Sequence, residues 1–261
     1  MRSTVLKTLI VLTIALGGAG CEKRGAAEPF GKTFYLGGAS NVDVLSSGVP
    51  DGLRQAGYRG DVRIFIWTVS FNPLIDQLLT INAKARAALL AEQIQDYRKR
   101  YPHNEINVIA LSAGTGVAVW ALEELDDDTR VDNLVLLGSS LSHDYDVSKA
   151  LKHMDGRIYV YHSPHDMVLA TVRVVGTIDG KRGVDSVGQV GLAVPPGADD
   201  RIRNVEWSRQ YMRYGWAGGH TDCTNTTFVR EVIAPLITNE PAATVAARTG
   251  RSSGGHITAT P

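Results

Sequence analysis

The chain lacks several features that would narrow its class at once. Its 261 residues include two cysteines, carry no formal net charge and are 7% aromatic. Two cysteines cannot build a framework of disulfides, so a hydrophobic core has to stabilise the fold. The sequence has neither a basic excess nor interleaved basic and aromatic residues, so we expect no nucleic-acid partner.

Metal and nucleotide motifs are also missing from the sequence. There is no His-Glu-x-x-His motif and no close cluster of cysteine and histidine. The glycine-rich stretches GAGCEKRG and GGASNVDV do not provide a phosphate-binding loop with the lysine and strand context that one needs. We therefore expect neither a metal site nor a cofactor.

The apolar run near the N-terminus, Thr8–Leu16, is too short for a membrane span. It follows the basic residues Arg2 and Lys7 and precedes small residues that end at Cys21. This pattern predicts a signal peptide over residues 1–20. It resembles the signal of bacterial lipoproteins, in which the cysteine becomes the lipidated first residue of the mature chain.

That resemblance implies a protein of the bacterial cell envelope, held at a membrane by a lipid on Cys21. Gly18 stands where the lipoprotein motif usually has leucine, so a plain secretory signal is the alternative, giving a secreted or periplasmic protein.

Residues 21–30 are predicted to be a polar tether. Residues 239–261 contain too few large apolar residues to pack, which predicts a disordered tail.

Between these ends, residues 31–238 alternate apolar runs with helical patterns. Continuous apolar runs are typical of parallel strands that are buried on both faces. The alternation predicts one α/β domain, with a mostly parallel central sheet, helices on both faces, and a small lid or none. The runs that predict strands begin at Lys32 and at Ile106 and cover Asp61–Trp67, Val131–Ser140, Gly156–Asp166 and Arg201–Trp207.

The apolar run Ile106–Leu111 stops abruptly at Ser112. Small residues follow, from Ala113 to Gly116, and then an apolar helical segment. A strand, a sharp turn and a helix around a serine form the context of a nucleophile elbow, whose usual pattern is Gly-x-Ser-x-Gly. Ala110 stands in place of the first glycine. A serine can also simply cap a helix at such a turn, so its partners must decide between the two interpretations.

Two other polar residues lie where partners of Ser112 would be expected. Ligands of parallel α/β sheets bind at the carboxyl ends of the strands. Asp166 follows a predicted strand, and His220 lies in a glycine-rich loop before the last predicted helix. The order serine, aspartate, histidine is that of α/β-hydrolases and differs from the other serine-hydrolase orders.

The chain therefore resembles the α/β-hydrolase superfamily over roughly Lys32–Leu236. The resemblance implies Ser112 as nucleophile, His220 as general base and acid, and Asp166 as the carboxylate that orients the histidine. The matching motifs are ALSAG at 110–114, SPHDMVL at 163–169 and GGHTD at 218–222.

The same resemblance implies an oxyanion hole and leaves an alternative acid. The oxyanion donors would be the backbone N–H of Ala113 and one from the loop after the first strand, at Gly38 or Ala39. Some related hydrolases carry the acid after the preceding strand, where Asp144 and Asp146 stand in this chain.

These residues predict a serine hydrolase that cleaves an ester or related acyl bond of a small molecule through an acyl-enzyme. The alternative is a catalytically silent α/β-hydrolase fold with a binding or structural role in the envelope. Ala110 and the plain GGAS loop, which depart from the family's pattern, motivate that alternative. Thr171–Asp200, rich in small residues, is the candidate cover of the site and is expected to be a flexible flap.

Overall fold

The structure is a computed structural model that describes residues 26–39, 48–68 and 80–238. The predicted signal peptide, Cys21 and the predicted tail lie outside the described residues. Within the described ranges, no helix has both the length and the apolar character needed to cross a membrane.

Six parallel strands form a single sheet in the order β2-β1-β3-β4-β5-β6. This confirms the predicted α/β class with a parallel central sheet. The strands predicted to end at Trp67, Ser140, Asp166 and Trp207 end one to four residues earlier, and beyond the first of these ends the Trp67 indole N–H donates to the Gly37 carbonyl at 2.8 Å. The strands are β1 (Lys32–Leu36), β2 (Asp61–Ile64), β3 (Ile106–Leu111), β4 (Val131–Leu137), β5 (Met154–His162) and β6 (Ile202–Glu206).

Helices connect the strands and cover the sheet. The closing helix, α7, consists of α-helical turns at Thr226–Phe228 and Ala234–Ile237 with a π-helical segment between them at Val229–Ile233. The other helices are α1 (Val49–Gln55), α2 (Thr80–Arg100), α3 (Gly114–Glu123), α4 (Ser148–Leu151), α5 (Met167–Val175) and α6 (Val187–Val190).

Two hydrophobic clusters lie on opposite faces of the sheet. Successive side chains of a strand point to opposite faces, so Phe34 and Leu36 join one cluster and Tyr35 joins the other. Helices α2 and α3 pack on the first face, whereas α1 and α7 pack on the second. This double covering explains why the strands read as continuous apolar runs.

The strand order reverses beside β1, which has β2 on one side and β3 on the other. In open α/β sheets, ligands bind in the crevice outside the carboxyl ends of the strands at such a reversal. Ser112 directly follows β3, and the loop with Gly38 and Ala39 follows β1. The topology therefore brings the predicted nucleophile and the predicted oxyanion loop to the same edge.

The described fold extends into the last residues of the predicted tether. Glu28–Phe30 forms a 3-10 turn, and the side chain of Glu28 is only 6% exposed. Its carboxylate accepts hydrogen bonds from Lys32 Nζ at 2.9 Å and from Arg100 Nη1 at 3.0 Å. Burial raises the pKa of Glu28, but the two cations outweigh it, so the pKa is lowered overall.

This buried ion pair predicts a pH-dependent contribution to stability. Glu28→Gln should lower the free energy of unfolding by about 2 kcal/mol at neutral pH, because the buried Lys32 then loses its closer carboxylate and keeps that of Asp61 at 3.3 Å, while Arg100, which is 39% exposed, also faces a neutral group. A lowered folded-state pKa means that the stabilisation is complete above the unfolded value, about 4.3, and is lost as the pH falls through the folded value. Urea unfolding across this pH range measures the difference.

Glu124→Gln is the matched control. Glu124 lies 3.9 Å from Lys149, and both side chains are 59% exposed, so the change should stay below about 0.5 kcal/mol. A Glu28→Gln loss that equals the control, or that persists unchanged in acid, would contradict the role given to this carboxylate.

Candidate active site

Ser112 has a left-handed backbone with φ of 53°, the only positive φ of a non-glycine residue among the described residues. Such a conformation is strained for serine and persists only when its surroundings fix it. The Ser112 N–H donates to the Leu137 carbonyl at 3.0 Å, and the Ser112 carbonyl accepts from the N–H groups of Thr115 and Ser140 at 3.1 and 3.3 Å. These bonds hold the sharp turn predicted from the sequence, and Ser112 is half-buried.

Close packing explains the small residues around the elbow. A Cβ atom on Gly114 would lie 2.3 Å from the Gly37 carbonyl oxygen, so only glycine lets the end of β1 approach the start of α3. Ala110, which replaces the first glycine of the family's pattern, is fully buried in β3 between Leu36 and Leu136. The turn therefore forms with alanine at that position.

Asp166 and His220 form a hydrogen-bonded pair. His220 Nδ1 lies 2.7 Å from Asp166 Oδ2. The His220 side chain is 12% exposed and that of Asp166 is 2% exposed. The other carboxylate oxygen, Oδ1, accepts the N–H of Leu169 at 3.0 Å and caps α5. One oxygen of the Asp166 carboxylate thus caps α5 while the other bonds to His220.

The pair and the elbow serine lie at the carboxyl end of β4. Gly138, the residue after β4, has φ of 46°. A Cβ atom there would lie 3.4 Å from both Asp166 Oδ2 and His220 Nδ1. The residue before it, Leu137, accepts the N–H of Ser112 at 3.0 Å. Residues distant in sequence are therefore brought to the carboxyl end of the same strand, where the structure has a hydrogen bond between His220 and Asp166 but none between His220 and the Ser112 hydroxyl.

The predicted oxyanion donors lie at the same edge. Ala113 is buried and directly precedes α3, where the first N–H groups of a helix have no partner within the helix. Gly38 is buried and Ala39 is half-buried, and both follow the Gly37 carbonyl that packs against α3. Ser40 lies outside the described residues.

The alternative acids have other partners. Asp144 Oδ1 accepts from Lys181 Nζ at 2.8 Å, and Asp146 Oδ1 accepts the N–H of Ser148 at 2.9 Å at the start of α4. Both aspartates are exposed. The carboxylate that bonds to His220 is that of Asp166.

The segment expected to be a flexible flap is bound to the strand ends. Helix α5 occupies its first part, and the N–H groups of Val187 and Gly188 donate to the carbonyls of Leu141 and Ser139, both at 2.8 Å. A Cβ atom on Gly188 would lie 2.4 Å from the carbonyl carbon of Gly138. The close contact of two glycines explains why sequence periodicity did not reveal this packing.

Other cysteine and histidine residues lie within four positions of Asp166 or His220 in the chain. Cys223 is buried, and its Sγ donates to the carbonyl of His220 at 3.4 Å. His162 is buried, and this burial lowers its pKa. His165 is exposed, and its ring packs edgewise against that of Trp207, with the ring centroids 4.8 Å apart. In the described ranges no three or more His, Cys, Asp or Glu side chains form a group that could hold a metal ion.

Comparison with known families gives the wider context. The family model described as Alpha/beta hydrolase matches residues 39–176, more than half of the chain. The chain belongs to the alpha/beta hydrolase family. The matched range includes Ser112 and Asp166 and ends before His220. No curated protein sequence matches the chain.

Several solved alpha/beta structures are distantly similar to this chain. A cutinase-like protein from Cryptococcus sp. is 14% identical over 82% of this chain and 98% of its own, with a TM-score of 0.45. Aspergillus fumigatus lipase B is 10% identical over 82% of this chain and 54% of its own, with a TM-score of 0.48. Dienelactone hydrolase from Anabaena variabilis is 17% identical over 85% of this chain and 83% of its own, with a TM-score of 0.41. Likenesses this distant indicate no substrate.

The left-handed backbone of Ser112 predicts an unusual order of stabilities. Ser112→Gly should be more stable than Ser112→Ala by about 1 kcal/mol, because alanine has a strained Cβ at positive φ and glycine does not. Thermal unfolding followed by circular dichroism measures both variants.

The same pair of substitutions at Ser148 provides the control. Ser148 is the exposed first residue of α4, so alanine should be more stable than glycine there, as in most helices. An alanine variant at 112 that equals or exceeds the glycine variant would show that the turn imposes no strain.

Proposed function

We propose that the chain is a serine hydrolase that cleaves a carboxylic ester or a related acyl bond of a small molecule. The observation that supports this most strongly is the 2.7 Å hydrogen bond between Asp166 and His220, at the sheet edge where Ser112 adopts its left-handed turn. Membership of the alpha/beta hydrolase family supports the same reaction class.

The hydrogen bond supports different roles for the two histidine nitrogens. A carboxylate can only accept, so His220 donates its Nδ1–H to Asp166 Oδ2. The remaining nitrogen, Nε2, then has a lone pair with which to take the proton of the Ser112 hydroxyl. Asp166 also stabilises the imidazolium that forms when the proton arrives.

The proposed reaction has two stages. In the first, Ser112 Oγ attacks the substrate carbonyl carbon, His220 accepts its proton and then donates it to the leaving alcohol, and an acyl-serine forms. In the second, His220 takes a proton from water, which attacks the acyl-serine, and then returns the proton to Ser112 Oγ as the bond to the acyl group breaks and the acid is released. The negative oxygen of each tetrahedral intermediate would be stabilised by the N–H of Ala113 and by a second N–H at Gly38 or Ala39.

A fluorophosphonate probe tests the proposal, because it reacts with activated serines. The purified protein should be labelled at Ser112, as mapped by peptide mass spectrometry, and should hydrolyse short-chain chromogenic esters. Ser112→Ala should abolish both. Labelling that persists in Ser112→Ala would contradict the choice of nucleophile, and a folded wild type that neither labels nor hydrolyses any ester would favour the silent binding module.

Two aspartates that follow strands provide a matched pair within this experiment. Asp166→Asn should slow labelling by about 100-fold or more. His220 then loses the carboxylate that orients its ring and stabilises the positive charge that forms on it. Asp144→Asn should stay within about twofold, because Asp144 pairs with Lys181 away from His220. An equal decrease in labelling rate in the two variants would contradict the assignment of Asp166 as the acid.

We also propose that the protein is exported and anchored to a membrane of the cell envelope through lipid on Cys21. Expressed in a bacterium with labelled palmitate, the protein should incorporate the label and sediment with membranes, and Cys21→Ser should lose both properties. Cys223→Ser is the control, since Cys223 is buried. Lipid labelling that survives in Cys21→Ser would contradict the anchor, and a soluble wild type would favour the plain secretory signal.

A further inference from the structure

Two buried hydroxyl groups next to the elbow have no part in the reaction described above. Thr115 lies in the first turn of α3, and Ser139 lies two residues after the end of β4. Both residues have no exposed surface, which keeps them from contacting a substrate. Any effect they have on the reaction must therefore act through Ser112.

The two hydroxyls connect the loop after β4 to the backbone of Ser112. Thr115 Oγ1 donates to the carbonyl oxygen of Ser112 at 2.5 Å. Thr115 Oγ1 and Ser139 Oγ lie 2.7 Å apart, and Ser139 Oγ accepts the N–H of Leu141 at 3.3 Å. The result is a continuous chain of three hydrogen bonds.

The direction of this chain follows from its ends. The Ser112 carbonyl can only accept, so the single proton of the Thr115 hydroxyl points to it. Thr115 Oγ1 must then accept from Ser139, whose oxygen is free to accept from the Leu141 N–H. Every hydrogen bond runs toward Ser112, and bonds aligned in this way polarise and strengthen one another.

We propose that Thr115 and Ser139 are positioning residues that hold the nucleophile in its reactive orientation. The inference rests on the proposed function, since it assumes that Ser112 attacks the substrate. The Ser112 carbonyl accepts from two N–H groups, and the Thr115 hydroxyl adds a third donor. With the Ser112 N–H also bonded to Leu137, the peptide groups on both sides of its Cα are held.

Holding both peptide groups fixes the positive φ of Ser112 and hence the direction of its Cβ and Oγ atoms. A strained backbone relaxes when a restraint is removed, and a small rotation at Cα displaces Oγ relative to His220. Displacements of about 1 Å at a reacting atom can cost about 100-fold in rate. Loss of one restraint out of several should have a smaller effect, about tenfold.

Three variants of the full protein test the inference. Thr115→Val keeps the shape but removes the hydroxyl, and should lower both the rate of fluorophosphonate labelling and the ester kcat by about tenfold, with KM within about twofold. Thr115→Ser keeps the hydroxyl and should stay within about threefold of wild type. Thr129→Val is the control, because Thr129 is buried just before β4, at the opposite end of that strand.

The outcomes separate this inference from the proposed function. If wild type is labelled at Ser112 but Thr115→Val labels equally fast, or Thr115→Ser is as slow as Thr115→Val, the positioning role is overturned while the hydrolase assignment stands. If wild type is not labelled at all, the hydrolase assignment fails and the inference falls with it. A change confined to KM would also overturn the inference.

A measurement without catalysis gives a second readout. Glycine needs no restraint at positive φ. If the Thr115 hydroxyl holds a strained turn, the fall in Tm that Thr115→Val causes in the Ser112→Gly protein should be at most half of the fall that it causes in the wild type. Ser139→Ala extends the test if Thr115→Val does not fold, and should slow labelling by about fivefold, since Thr115 keeps its bond to Ser112. An equal fall in Tm in both backgrounds, or unchanged labelling in Ser139→Ala, would overturn the inference.

Discussion

The left-handed turn at Ser112 is the constraint on which the arrangement of the site depends. A serine adopts φ of 53° only when its neighbours allow no alternative. Here the Leu137 carbonyl accepts the Ser112 N–H, and the end of β1 lies so close to Gly114 that a single Cβ would collide with it. The turn therefore connects β1, β3 and β4 at the point where the strand order reverses.

The opposite ends of the sheet meet different physical demands. At the carboxyl edge, glycines at 114, 138 and 188 let backbone segments approach closely. There the Asp166 carboxylate accepts hydrogen bonds from the first turn of α5 and from His220. At the amino edge, the buried carboxylate of Glu28 bridges Lys32 and Arg100 and joins the first described turn to α2. The strained backbone of Ser112 thus lies at the edge where chemistry is proposed, and a buried carboxylate with two cationic partners lies at the opposite edge.

The sequence predicted the parallel sheet and the strand, turn and helix around Ser112, because apolar runs and small residues are local signals. It did not predict features that depend on contacts distant along the chain. Glu28 looked like part of a polar tether because its partner Arg100 is 72 residues away. The hydrogen bond between the hydroxyls of Thr115 and Ser139 is a second such feature, because only the fold brings residues 24 positions apart within 2.7 Å.

The central claim is that Ser112 and His220 act as one catalytic unit, and the kinetics of a double variant test it most directly. Residues of a catalytic unit are strongly non-additive, since losing either member disables the other. Turnover of a chromogenic ester should fall by about 1,000-fold or more in Ser112→Ala and in His220→Ala, and the double variant should be no slower than the slower single variant. Losses that multiply in the double variant, or wild-type turnover in Ser112→Ala, would contradict the account.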